Sequence, residues 1–296
     1  MGRGKPFVGI VLRTTFLSSF AARRRAPSSR SALALTGAEA PHNLLLMHGW
    51  AGSANNWDGV IKALDPRKFR AIACDLRGHR DSDPAATGFT DERLARDALA
   101  IADASGARRF TAVGFSISGR LVQYLRLLVP ERVEAMAIIA GCPASPMELP
   151  DAMIVDWVAR AGDRQKLREI PLRFAINPDL ELLEEWANDA VKVSRHALEA
   201  TLRLLLSPFQ HSPPVRSPAI PALVLAGIAD ALLGPTVQRA IDATYPGSQM
   251  VEFECAHEFL IEAPSETAEQ VARFVAALPR PAHQVRKSRT RARSAN

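Results

Sequence analysis

The chain has 296 residues, of which 47% are hydrophobic and 23% charged, a composition typical of a folded globular protein with room for a large core. This composition excludes collagen, coiled-coil, disulfide-rich and intrinsically disordered classes, and the sequence lacks the uninterrupted apolar run of a membrane-spanning helix. The net charge of +6 comes from the ends: residues 1–30 and 280–296 hold 13 of the 37 basic residues and no acid. The remaining body carries a net charge of −7, so we expect no specific nucleic-acid partner.

The two basic ends are predicted to lie outside the folded domain. Residues 1–30 are rich in Arg and Ser, which is typical of an organelle transit peptide and equally of a disordered extension, and residues 280–296 are predicted to be a disordered tail. Three widely spaced cysteines, Cys74, Cys142 and Cys255, match neither a disulfide framework nor a zinc site. They favour a reducing, cytoplasmic location, with organelle targeting through residues 1–30 as the alternative.

Apolar runs that stop at Gly, Asp or Pro predict six buried strands, and helical periodicity predicts amphipathic helices between them. The strands are expected at residues 43–47, 70–74, 109–114, 133–140, 222–226 and 248–253, and the helices at 91–104, 117–129 and 265–278. Strands that alternate with helices indicate an α/β fold, with a mostly parallel central sheet flanked by helices.

Residues 143–217 break this alternation. Proline-rich turns bound the segment, and between them the pattern is helical over 151–161, 163–169, 179–193 and 195–206, with no strand pattern. We interpret it as an inserted helical cap over the carboxyl ends of the strands. The α/β core would then consist of residues 31–142 and 218–279.

The hexapeptide Gly114 to Gly119 follows a predicted strand and begins a predicted helix. Small residues around a serine in this context are typical of a nucleophile elbow, in which a tight turn projects the serine hydroxyl. Ser116 is therefore the candidate nucleophile. The alternative from the hexapeptide alone is an ordinary strand–turn–helix with a capping serine.

A serine hydroxyl needs a base, and the base needs an orienting carboxylate. Of the seven histidines, His257 lies after the last strand and before the last helix, at the edge of the sheet where the elbow points. Asp230 follows the preceding strand and is favoured over Glu148 and Asp151, which lie in the helical insertion. The predicted catalytic set is therefore Ser116, Asp230 and His257.

An oxyanion hole is predicted from two backbone amides. The turn at residues 48–53, after the strand predicted at 43–47, contains two glycines and is expected to place the amide of Trp50 near the elbow. The second amide would be that of Ile117, directly after the nucleophile. Trp50 and Phe115 flank these turns and are predicted to contact substrate, with simple packing as the alternative.

Five motifs in this order resemble the α/β-hydrolase fold family: HGWAGS at 48–53, DLRGHRDSD at 75–83, GFSISG at 114–119, GIAD at 227–230 and CAHEFLIEAP at 255–264. The resemblance covers residues 43–278 and implies the sheet topology and a cap inserted before the strand that precedes Asp230. Arg80 departs from the pattern, since this loop usually carries a second glycine there.

The resemblance and Ser116 together imply acyl transfer to water, because relatives that open epoxides or cleave haloalkanes use aspartate at that position. We expect a hydrolase for a carboxylic ester of a small or medium, mainly apolar molecule, without metal or organic cofactor. The cap supplies possible lining, with the hydrophobic core of the cap as the alternative role; these residues are Met147, Met153, Trp157, Phe174, Trp186 and Phe209. Oligomeric state is not predicted.

Two other functions stay open. The same triad could hydrolyse a carbon–carbon bond or a thioester, or perform a lyase-type step, on an anionic substrate. Arg120 directly after the elbow motivates this alternative, since some relatives with a serine triad carry arginine there and bind anions; a surface arginine is the other interpretation. The fold also occurs in ligand-binding proteins without catalysis.

Overall fold

The computed structural model describes residues 10–13, 31–35, 37, 40–82, 85–209 and 220–278. The predicted tail at residues 280–296 lies outside this range. Within the predicted extension at residues 1–30, the description is limited to Ile10–Arg13, which forms a strand.

Eight strands of the described chain form one sheet in the order β1-β2-β4-β3-β5-β6-β7-β8. Neighbouring strands are parallel, except for the antiparallel pair β2 and β4. The bounds are β1 Ile10–Arg13, β2 Ser31–Leu35, β3 His42–Met47, β4 Phe69–Cys74, β5 Phe110–Phe115, β6 Val133–Ile139, β7 Ala222–Gly227 and β8 Gln249–Phe253. The six strands predicted from the sequence are β3 to β8, each displaced by at most one residue at either end, and the expected α/β fold is confirmed.

The helices follow the predicted alternation. They are α1 Asp58–Ala63, α2 Asp91–Ala104, α3 Ile117–Leu128, α4 Asp151–Ala159, α5 Arg164–Leu172, α6 Leu180–Ala190, α7 Arg195–Leu204, α8 Pro235–Asp242, α9 Phe259–Glu262 and α10 Pro264–Ala276. Side-chain caps define several starts: Thr90 caps α2, Asp179 caps α6 and Ser194 caps α7, each accepting a hydrogen bond from an amide of the first turn. None of these helices is both long and apolar enough to cross a membrane.

Two hydrophobic layers enclose the sheet. On one face, Leu94, Leu121 and Tyr124 from α2 and α3 pack against the strands. On the other face, Val60 and Val271 from α1 and α10 do so. All residues of the central strand β5 are buried, as expected for a parallel strand covered on both sides.

Helices α4 to α7 lie in sequence between β6 and β7 and have a hydrophobic cluster of their own. Trp157, Leu183 and Leu198 belong to this cluster, which also includes Ala51 in the turn after β3 and Ile261 in α9. The buried carboxylate of Asp189 in α6 accepts a hydrogen bond of 2.8 Å from the Ser53 hydroxyl of the same turn. The helical segment therefore packs directly over the edge of the sheet where β3 ends.

Candidate active site

Ser116 lies in the sharp turn between β5 and α3. Its backbone has φ of 53° and ψ of −120°, a strained conformation for a residue with a side chain. The turn is so tight that a Cβ at Gly114 would lie 2.2 Å from the Ser118 carbonyl oxygen, and a Cβ at Gly119 would lie 2.6 Å from the Cα of Gly141. This crowding explains the small residues of the hexapeptide.

The structure brings Ser116, His257 and Asp230 together. The Ser116 Oγ lies 3.0 Å from His257 Nε2, and His257 Nδ1 lies 2.8 Å from an oxygen of Asp230. Asp230 precedes His257 by 27 positions along the chain, and Ser116 precedes it by 141. The three residues meet at the carboxyl ends of β5, β7 and β8. A serine hydroxyl, an imidazole and a carboxylate in this series can transfer the hydroxyl proton to the imidazole.

The surroundings set the charge of the His257–Asp230 pair. Burial acts to lower the pKa of His257, but the hydrogen bond and charge of Asp230 outweigh it and raise the pKa above its ordinary value of 6.5. For Asp230, burial acts to raise the pKa, yet its hydrogen bond to His257 and the amides of Leu232 and Leu233 hold it below the usual 3.8. The carboxylate therefore stays ionised and stabilises a protonated imidazole.

The loop that carries His257 is held by a second carboxylate, Glu262. Its oxygens accept hydrogen bonds from the amides of Ala256 at 3.2 Å, Glu258 at 3.1 Å and Ile176 at 2.8 Å. The amide of His257 donates to the Phe174 carbonyl at 2.8 Å. The position of the imidazole thus depends on the segment between α5 and α6, a link that the sequence does not reveal.

The two amides predicted for an oxyanion hole lie directly after β3 and β5. Trp50 is in the turn after β3, and Ile117 is the first residue of α3. Across the described residues, neither backbone amide donates a hydrogen bond within the protein. Both donors are therefore available to a ligand, as the first amides of a helix commonly are.

A pocket that is partly open to solvent lies over Ser116 and His257, with about 520 Å³ of empty space when the open mouth is included. Of the residues predicted to bind substrate, Trp50, Phe115 and Trp157 line it, and of the suggested cap residues Phe174 and Trp186 line it too. Met147, Met153 and Phe209 do not line it; they pack against hydrophobic clusters. The remaining lining residues were not predicted; they are Gly49, Asn56, Ile170, Leu232, Glu258, Leu260 and Ile261.

Arg120 does not reach the pocket, contrary to the prediction that it binds substrate. Its side chain is fully buried beside α2, where the guanidinium donates to both oxygens of Asp91 at 2.8 and 3.0 Å. It also donates to the carbonyls of Ala144 and Ser207 at 3.1 and 2.7 Å. Through these bonds the guanidinium joins α2, α3 and the ends of the helical segment, so Arg120 lies outside the pocket lining and is not a surface arginine.

Comparison with known proteins gives consistent matches. A family model described as the alpha/beta hydrolase fold matches residues 43–187. A pimeloyl-[acyl-carrier protein] methyl ester esterase of Nitrosomonas europaea is 25% identical over 237 residues, which are 76% of this chain and 92% of that protein. The esterase of the same name from Pectobacterium carotovorum is 27% identical and covers 79% of this chain and 94% of its own length.

Solved structures agree. A hydrolase from Pseudomonas aeruginosa superimposes with a TM-score of 0.69 at 26% identity, covering 82% of this chain and 92% of that one. An esterase from Exiguobacterium antarcticum has a TM-score of 0.74 at 17% identity over 84% and 96% of the two chains, which is a likeness of fold. With the parallel sheet and the strained serine turn, these matches establish that the chain belongs to the α/β-hydrolase fold family of enzymes.

Proposed function

We propose that the protein is a serine hydrolase that cleaves a carboxylic ester of a small or medium molecule through an acyl-enzyme. The observation that carries the proposal is the continuous chain of contacts from Ser116 through His257 to Asp230, with distances of 3.0 and 2.8 Å, at the floor of a pocket. Serine, histidine and aspartate in this arrangement are the parts that acyl transfer requires.

Each residue has a defined role in the proposed reaction. His257 Nε2 accepts the proton of the Ser116 hydroxyl as Oγ attacks the ester carbonyl, and Asp230 stabilises the resulting imidazolium. The amides of Trp50 and Ile117 donate to the oxyanion of the tetrahedral intermediate. The intermediate collapses when the protonated His257 gives its proton to the leaving alcohol, and a water molecule deprotonated by His257 then hydrolyses the acyl-enzyme.

Helices α4 to α6 support the proposal of a cap over residues 143–217. Trp157 in α4, Ile170 in α5, Trp186 in α6 and Phe174 between α5 and α6 all line the pocket. The apolar side chains exclude water from the reacting atoms and strengthen the hydrogen bonds of the site. They favour an apolar acyl group.

The esterases that match more than three quarters of the chain support an ester as the substrate. The alternative of an anionic substrate loses its motivating residue, because Arg120 is engaged with Asp91 away from the pocket. We therefore favour ester hydrolysis over the carbon–carbon, thioester and lyase alternatives.

Reaction with a fluorophosphonate probe tests the proposal, with the modified peptide identified by mass spectrometry. We expect modification at Ser116 in the wild type and none in Ser116→Ala. Ser118→Ala is the matched control, because the Ser118 hydroxyl is fully buried and donates to the His48 carbonyl, so the variant should still be modified at Ser116. Folded wild-type protein that neither reacts with the probe nor hydrolyses any ester of an acyl-chain series would contradict the proposal.

A further inference from the structure

The pocket wall is rich in aromatic rings. Trp50, Phe115, Trp157, Phe174 and Trp186 line it. The rings of Trp50 and Trp157 lie 5.1 Å apart, and those of Trp157 and Phe174 lie 5.7 Å apart in an edge-to-face arrangement. Clustered aromatic faces attract organic cations through the negative potential of their π-systems, and quaternary ammonium groups are the ligands that such clusters commonly bind.

The same wall carries one acid, Glu258, and no lysine or arginine. In the described part of the chain, the Glu258 carboxyl makes no hydrogen bond or ion pair, although its amide is held by Glu262 at 3.1 Å. Burial raises the pKa of Glu258 to about 7; the nearby His257 lowers it, and Glu262 and Asp230 raise it. An acid without a partner in a partly buried, mostly apolar wall lacks a counter-charge, which a bound cation would supply.

We propose that this pocket binds an ammonium group and that the preferred substrate is an ester of an amino alcohol, with Glu258 as the specificity-determining residue. This inference rests on the proposed ester hydrolysis. Glu258 and His257 line the same pocket, and His257 donates its proton to the leaving alcohol, so the inference places the alcohol portion of the substrate beside Glu258. The positive nitrogen then meets the carboxylate and the aromatic rings together.

The preference for a cation depends on the charge of Glu258. Above about pH 7 the carboxyl is ionised and attracts the ammonium group, whereas below that pH it is neutral and the aromatic rings act alone. The groups that face it, His257, Glu262 and Asp230, set this midpoint, and a bound cation shifts it to lower pH. An ester with an anionic alcohol meets the same carboxylate without any basic residue in the wall.

Three acetate esters of similar size test the inference: the neutral 3,3-dimethylbutyl ester, its cationic isostere the choline ester, and an ester whose alcohol carries a carboxylate. At about pH 8.5 we expect kcat/KM for the choline ester to exceed that of the neutral ester about thirtyfold, with about tenfold from the charge pair and about threefold from the aromatic rings. In Glu258→Gln the ratio should fall to about threefold, the contribution of the aromatic rings. Glu254→Gln removes an exposed acid outside the pocket and should leave the ratio unchanged.

The outcomes separate this inference from the proposed function. If the wild type hydrolyses the neutral ester with no preference for the cation, or if Glu258→Gln retains the full preference, the inference is wrong and ester hydrolysis stands. If no ester is hydrolysed, a binding measurement tests the inference separately. Choline is titrated into Ser116→Ala and into the double variant with Glu258→Gln, and binding is followed by tryptophan fluorescence. The double variant should bind choline at least tenfold more weakly. Equal binding by the two proteins, or none, would overturn it.

Discussion

The buried ion pair between Arg120 and Asp91 offers a direct test of the structural role assigned to that arginine. Both side chains are fully buried, and the guanidinium binds both carboxylate oxygens. Arg120→Met would leave the charge of Asp91 buried without its partner, at a cost of about 3–5 kcal/mol in the free energy of unfolding. The carbonyls of Ala144 and Ser207 would lose a donor as well, but such costs are not additive within one network. We therefore expect a loss of about 4 kcal/mol.

Urea unfolding followed by tryptophan fluorescence measures this loss. Arg96→Met is the matched control, because Arg96 pairs with Glu92 on the exposed surface of α2, and the loss there should be no more than about 0.5 kcal/mol. The double variant Arg120→Met with Asp91→Leu should recover part of the stability, since it removes the unpartnered carboxylate. A variant Arg120→Met of wild-type stability, with a changed preference among substrates of different charge, would refute the structural role and support substrate binding.

Three further predictions concern the turn, the proton acceptor and the contact of α6 with the core. Gly114→Ala should lower the free energy of unfolding by at least about 3 kcal/mol, because its Cβ would lie 2.2 Å from a backbone oxygen. Gly106→Ala is the control: it has open space around the Cβ, and its φ of 76° should cost about 1–2 kcal/mol. Equal losses in the two variants would contradict the crowding argument. Turnover of the wild type should fall as the pH decreases through the raised pKa of His257. Asp230→Asn should move this acidic limb of the pH–rate profile to lower pH and reduce kcat about 10⁴-fold. An acidic limb that does not move would contradict the coupling of His257 to Asp230. Asp189→Asn removes the charge of a buried carboxylate that four polar side chains contact. We expect the free energy of unfolding in urea to fall by about 3 kcal/mol, with reduced turnover. Unchanged stability would show that these contacts do not hold α6 against the core.

Local sequence patterns predicted much of the fold. The strands β3 to β8 are short apolar runs ended by turn residues, and burial on both faces makes such runs conspicuous. The Ser116 turn was equally visible, because its geometry excludes Cβ atoms at Gly114 and requires small neighbours. Asp230 and His257 are predictable as site candidates because each follows a strand, and the carboxyl ends of parallel strands share one edge of the sheet.

Contacts that depend on packing between distant segments were not predictable. Arg120 follows the elbow directly, but the side of α3 on which its guanidinium lies depends on Asp91, 29 residues away. Glu258 lies beside His257 in sequence, yet periodicity over the four-residue helix α9 says nothing of its direction. Its place next to the histidine, inside an otherwise apolar stretch, was the available signal. Which aromatic residues of the helical segment line the pocket depends equally on how the helices pack.

The central claim is that Ser116 forms an acyl-enzyme with the help of His257. Rapid mixing with a 4-nitrophenyl ester, with intact-mass analysis of quenched samples, tests it most directly. We predict a burst of one nitrophenolate per protein molecule, an acyl mass increment located on Ser116, and loss of both in Ser116→Ala, with turnover reduced about 10⁶-fold. Nitrophenolate released at the wild-type rate by Ser116→Ala, or an acyl group located on another residue, would contradict the account.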